Sequence, residues 1–130
     1  QDIILNIEIS DVIDEIDMNI VDLARVIGIF FDNAIEASSS CEQSKEINVA
    51  LFKGISNSLI FIIENTFNNH SISIDNIFNY GFSTKKNDRG KGLNTVKRII
   101  NSYPNVTLNT NISTGIFTQI IEIEDKRGIS

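Results

Sequence analysis

Residues 30–40, FFDNAIEASSS, place an Asp-Asn pair inside what otherwise reads as an apolar helix. Short polar side chains compete for backbone hydrogen bonds and are poor helix-interior residues. Their presence marks Asp32 and Asn33 as residues kept for something other than helix formation. Working backwards from the pair, apolar residues recur at Ile20, Leu23, Ala24, Ile27, Phe30, Phe31, Ala34 and Ile35. This i, i+3, i+4 spacing predicts a core-packed helix, starting at a cap on Asn19 and running to about Ser38. On it Asn33 shares a face with Ile29, Glu36 and Ala37, so its amide projects beside the apolar stripe toward a pocket.

Outward from this helix the pattern changes period. Residues 3–9 alternate as a strand, and residues 46–52 and 59–65 form two more, joined by the hairpin-like KGISNS with Gly54. Residues 66–92 are rich in Asn, Ser, Gly and Lys, with one short helical stretch at IDNIFNY. A connection this long in a compact domain is usually a lid or binding loop. A second helix, LNTVKRII, follows Gly92, and strands at 105–110 and 115–123 close the chain as a hairpin. The order predicts an α+β sandwich, with helices on one face of a mixed, mostly antiparallel sheet.

Composition bounds the function. The 130 residues, 42% of them hydrophobic, suffice for a single core and one domain spanning residues 1–130. The chain opens on Gln1 without a leader and is expected to be a piece of a longer protein. No apolar run approaches the roughly 18 residues of a membrane span, so no direct membrane contact is expected of this piece. A lone Cys41 excludes an internal disulfide. The net charge of −6 argues against a nucleic-acid partner. Eleven of the seventeen acids lie in residues 1–46, whereas six of the eleven bases (Lys85, Lys86, Arg89, Lys91, Lys97, Arg98) lie between 85 and 98. A basic segment on an acidic chain suggests a small anionic ligand.

The basic segment carries its own motif, GFSTKKNDRGKGLNTVKRI (81–99), in which glycines run into a helix start. Gly90 and Gly92 allow close backbone approach, and a helix N-terminus offers unpaired N–H groups and a positive dipole to phosphate oxygens. Neither the Walker loop nor G-x-G-x-x-G is present, since Thr95 stands where the latter needs its third glycine.

Together, IGIFFDNAIEASS (27–39) and GFSTKKNDRGKGLNTVKRI resemble the N box, and the lid with second glycine box, of the GHKL ATP-binding fold. The likeness covers nearly the whole chain. It is to the catalytic domain of sensor histidine kinases, above all the peptide-sensing AgrC and ComD kind. It implies a Bergerat sandwich with a long ATP lid, and ATP with Mg²⁺ as cofactors. It also implies transfer of the γ-phosphoryl to a histidine on an upstream dimerisation domain, with a response regulator as the next partner. The piece would then be a cytoplasmic, monomeric domain of a bacterial membrane receptor kinase. Asn33 would ligate Mg²⁺ and serve catalysis, the backbone at Gly90, Gly92 and Leu93 would cradle phosphates, and Lys85 and Arg89 would contact them from the lid. Oxygen ligation by an amide suits Mg²⁺, which keeps waters and nucleotide oxygens.

Two positions depart from the family pattern. The adenine-reading D-x-G-x-G box is replaced by IIENTFNN (62–69), where Asn65, or Glu64 in the rival alignment, stands nearest to the Asp. An Asn carbonyl can accept from the adenine amino group as Asp does. Four residues before Asn33, where hydrolytic relatives carry a Glu base, stands Ile29, which cannot take a proton. Transfer with little hydrolysis is therefore expected. A degenerate docking module and a serine-directed kinase of the same fold are the competing readings. His70, in a polar loop, is not the expected phosphoacceptor.

Overall fold

The computed structural model describes residues 3–10, 15–39, 46–66, 87–113 and 115–125. For residues 38–39 and 87–91 the backbone alone is described. The short helix expected at IDNIFNY, together with His70 and Lys85, lies outside the described residues. The elements are β1 (Ile4–Ile9), α1 (Ile20–Ser39), β2 (Glu46–Lys53), β3 (Leu59–Thr66), α2 (Asn87–Asn101), β4 (Val106–Ser113) and β5 (Ile116–Ile123).

The five strands form one sheet in the order β1-β2-β3-β5-β4. Only β1 and β2 run parallel, because α1 crosses over between them; the other pairings are antiparallel. Both helices pack on the same face. There the alternating residues Ile47, Val49, Phe61, Ile63, Ile121 and Ile123 meet Leu23, Val26, Phe30 and Ala34 of α1 and Val96 and Ile100 of α2. Each large side chain buried in this layer stabilises the fold by about 1.5–3 kcal/mol relative to an exposed one. The expected α+β sandwich is thus the observed architecture.

Local chemistry sets the boundaries. Asn19 caps α1 as the sequence suggested, its Oδ1 accepting from the backbone N–H groups of Val21 (2.8 Å) and Asp22 (3.2 Å). In the β2–β3 connection the left-handed backbone falls on Ser56 and Asn57 (φ 59° and 64°) rather than on Gly54. Gly54 is needed for close approach: a Cβ there would lie 2.7 Å from Ile60 Cδ1 and 2.8 Å from Ser58 Oγ. β4 and β5 are joined through Gly115, whose φ of +71° suits a tight hairpin turn.

One expectation is corrected. α2 does not begin after Gly92 but at Asn87. Asp88 stands in the first turn, where an acidic residue is favoured, and each glycine in a helix costs only about 1 kcal/mol relative to alanine. Burial of Leu93, Val96 and Ile100 outweighs that cost.

Candidate functional site

The register brings four segments to one end of the sandwich. β3 ends there at Asn65 and Thr66, opposite the start of β2, where Glu46 N–H donates to Thr66 Oγ1 at 3.1 Å. β5 begins there, with Phe117 paired to Asn65. α1 ends on that side, since it leads back to β2. The beginning of α2 completes the set, because Leu93 packs on Leu108, Ile112 and Phe117.

The two helices run antiparallel across this arrangement. Gly92 abuts Ile29: a Cβ at Gly92 would lie 3.1 Å from Ile29 Cγ2. At the other end the Tyr103 hydroxyl, just past α2, donates to Asp22 Oδ2 at 2.5 Å and accepts from Asn19 N–H at 3.3 Å. Moving from Ile29 to Asn33 along α1 therefore leads toward the first turn of α2. Ile29, Asn33, Glu36 and Ala37 are all half-buried, forming the helix face that the spacing predicted, and Asn33 Nδ2 is buried from solvent. Asp32, by contrast, is exposed.

The N–H groups of an α-helix that lack intrahelical acceptors are its first four, counting the cap. In α1, which starts at Ile20, the fourth residue is the first to bond, Leu23 N–H donating to Asn19 O; by the same count the free N–H groups of α2 are those of residues 87–89, Gly90 closes the first turn, and Gly92 and Leu93 lie beyond it. Gly92 is half-buried against α1, and Leu93 is 1% exposed within an apolar cluster. Arg89 is on the same first turn, described as backbone only. Of the six clustered bases, Lys97 and Arg98 have described side chains, and both are exposed.

The two alignments of the adenine position end on opposite faces of the sheet. Asn65 faces the helices, 3% exposed, with Nδ2 donating to Thr66 O at 2.9 Å, a bond that orients its amide. Glu64 faces away and accepts from Asn48 Nδ2 at 3.4 Å; Asn48 Oδ1 in turn accepts from Asn6 at 2.8 Å.

Two buried amides escaped the reading of the sequence. Asn105 Nδ2 donates to Asp17 O (2.8 Å) and Glu124 O (3.0 Å), clasping the far end of the sheet. Gln119 accepts from Thr110 Oγ1 at 2.6 Å, while its Nε2 is buried with no hydrogen-bond partner among the described residues. A buried donor left unpaired costs about 1–3 kcal/mol. The available signal was the break in the core-facing alternation Phe117, Gln119, Ile121, Ile123.

Among the described residues no group of three or more His, Cys, Asp or Glu could hold a metal. A single half-buried amide beside a helix start fits Mg²⁺ held mostly by phosphate oxygens and water, and not a metal caged by protein ligands. Among the described residues no helix is long and apolar enough to cross a membrane.

Comparison with known proteins returns a family model described as a GHKL domain, matching residues 18–124. None of the proteins of curated function matches at a significant level. Among solved structures, the catalytic domain of histidine kinase ThkA superposes with a TM-score of 0.74 at 20% identity, covering 94% of this chain and 78% of that one. Histidine kinase AdeS of Acinetobacter baumannii gives 0.69 at 16% identity, over 94% and 54% of the two chains. Full-length ShkA in complex with AMPPNP gives 0.71 at 16%, over 93% and 25%. At these identities the likeness establishes the fold, and the family model, which takes in most of the sequence, establishes membership. The chain belongs to the GHKL domain family.

Proposed function

We propose that this domain binds ATP with Mg²⁺ and transfers the γ-phosphoryl group to a histidine on a separate dimerisation domain of a two-component sensor kinase. The observation that carries the reading is the convergence of Asn33, Asn65 and the start of α2 at one end of the sandwich. Asn33 would hold the metal through its carbonyl oxygen, Asn65 would accept from the adenine amino group, and the free N–H groups of residues 87–89, with Gly90 allowing close backbone approach, would receive phosphate oxygens. Lys85 and Arg89 would add charge from the lid side. Gly92 and Leu93 serve this site by seating α2 against α1 and the sheet rather than through free N–H groups. Bound Mg²⁺ supplies charge neutralisation at the phosphates. The protein supplies positioning and fixed dipoles, which dominate phosphoryl transfer.

Ile29 supports transfer over hydrolysis. It lies one turn before Asn33 with its methyl against Gly92, and a hydrocarbon side chain cannot take a proton from water. The likeness to AgrC and ComD kinases extends the proposal to a peptide-sensing, quorum-sensing membrane receptor, its own upstream phosphoacceptor helix and a response regulator. A second reading, a docking module with weak nucleotide affinity, is favoured by one feature: an amide replaces the adenine-reading carboxylate.

Calorimetric titration with ATP, with and without Mg²⁺, separates the two readings. The catalytic reading expects Mg²⁺-dependent binding that weakens at least about tenfold in Asn33→Ala, with the unfolding midpoint unchanged. No binding at millimolar ATP by the folded wild type would leave the docking module.

A further inference from the structure

Along β5 the side chains facing the helices are Phe117, Gln119, Ile121 and Ile123, and one of the four is an amide. Gln119 is 3% exposed, its Oε1 taken by Thr110 Oγ1 and its Nε2 lacking a partner among the described residues. Turning the amide over would only exchange an orphan donor for an orphan acceptor.

The position of this amide is informative. Gln119 pairs with Ile63 on one side and Thr110 on the other, and the next residues on the same face toward the site are Asn65 and Phe117. Leu93 rests on Leu108, Ile112 and Phe117, which flank the Thr110–Gln119 pair, while Ile63 and Ile121 belong to the main core. Gln119 therefore sits at the seam between the two apolar clusters, diagonal to Asn65 on the neighbouring strand. Diagonal neighbours on one face lie about 7–8 Å apart, a span that one flat ligand lying between the two amides can bridge.

We infer that Gln119 is a base-recognising residue. Its Nε2 donates to the ring nitrogen of a purine beside the amino group that Asn65 Oδ1 accepts from, so that two amides grip an adjacent donor and acceptor. The inference rests on the ATP-binding reading and adds to it a specificity element contributed by this chain. A polar site of this kind discriminates strongly against a base whose donor and acceptor are exchanged, as they are in hypoxanthine, because mispaired buried groups are left behind.

The test compares Gln119→Leu, and the double variant Thr110→Val with Gln119→Leu that leaves no orphan hydroxyl, with the wild type. Binding of MgATP and MgITP is measured by calorimetry, and ligand-free unfolding is followed by circular dichroism. Affinity for ATP should fall about tenfold and the preference for ATP over ITP should shrink by a similar factor. The ligand-free midpoint should stay at or above that of the wild type in at least the double variant. Unchanged affinity overturns the role, as does an affinity loss that leaves the base preference intact or that accompanies a lowered midpoint in both variants. A folded wild type that binds neither nucleotide overturns the ATP-binding reading itself, and this role with it.

Discussion

Tyr103 and Asp22 are joined by a 2.5 Å hydrogen bond that ties the turn after α2 to the first turn of α1. That bond, the coulombic effect of Asp22 and partial burial raise the tyrosine pKa above its ordinary value of 10.0, although the backbone of Asn19 opposes the shift. A neutral hydroxyl can donate to the carboxylate, whereas a phenolate would repel it.

The sign of the pH effect follows. The group ionises more readily in the unfolded chain, so its contribution is complete below the unfolded value and is lost as pH rises through the folded one. Wild-type stability should therefore fall above about pH 10, and Tyr103→Phe should lack this component of the decline while being less stable at neutral pH. Urea melts of both proteins between pH 7 and 11 check it; parallel curves would show that the bond carries no weight.

Ile29 and Gly92 should behave as a size-matched pair. Alanine at Gly92 gains helix propensity but brings a Cβ to 3.1 Å from Ile29 Cγ2. Leucine at position 29 lacks that branch methyl. Against the Ile29→Leu background, Gly92→Ala should then stabilise by about 0.5–1 kcal/mol, and by less or not at all against wild type. A double-mutant cycle measures the difference, and simple additivity would mean that the helices shift apart freely.

Gly28 offers a contrast on the same helix. It is exposed, and nothing lies within 4 Å of a Cβ built there. Gly28→Ala should raise stability by about 0.5–1 kcal/mol through the unfolded chain. Chemical denaturation is sufficient to check this, and a loss would mean that the exposed face of α1 is not free.

Much of this fold was legible in the sequence. Period-3.6 apolar spacing gave α1 and its Asn19 cap, and period-2 alternation gave β2, β3 and β5, because in each case burial on one face dictates the pattern. β4 read short, as 105–110 rather than to Ser113. It is an edge strand, and its outward residues Thr107, Asn109 and Asn111 are exposed, so polar residues resemble a loop. The start of α2 was misplaced because glycine propensity is local, whereas the packing of Leu93 and Val96 that holds the helix is tertiary. β1 alternates as though half-buried, yet Leu5, Ile7 and Ile9 are 51%, 57% and 62% exposed. Composition cannot say how far a helical layer extends across a sheet. For the candidate site, the residue types that drew attention were visible, Asn33 in one helix and the glycines near the start of another, although the sequence reading set those glycines before the helix and they lie within it. Gln119 was passed over because a single amide in an apolar strand matters only once its neighbours across the sheet are known.

Among the described residues three clasps lie at one pole: Asn105 on Asp17 and Glu124, Tyr103 on Asp22, and Gly54 N–H on Ser58 O at 2.8 Å. The residues proposed to meet nucleotide gather at the other. A fold so divided keeps cohesion and chemistry on separate ledgers. Substitutions at the end proposed to meet nucleotide can then change what is bound there without loosening the bolts at the opposite pole.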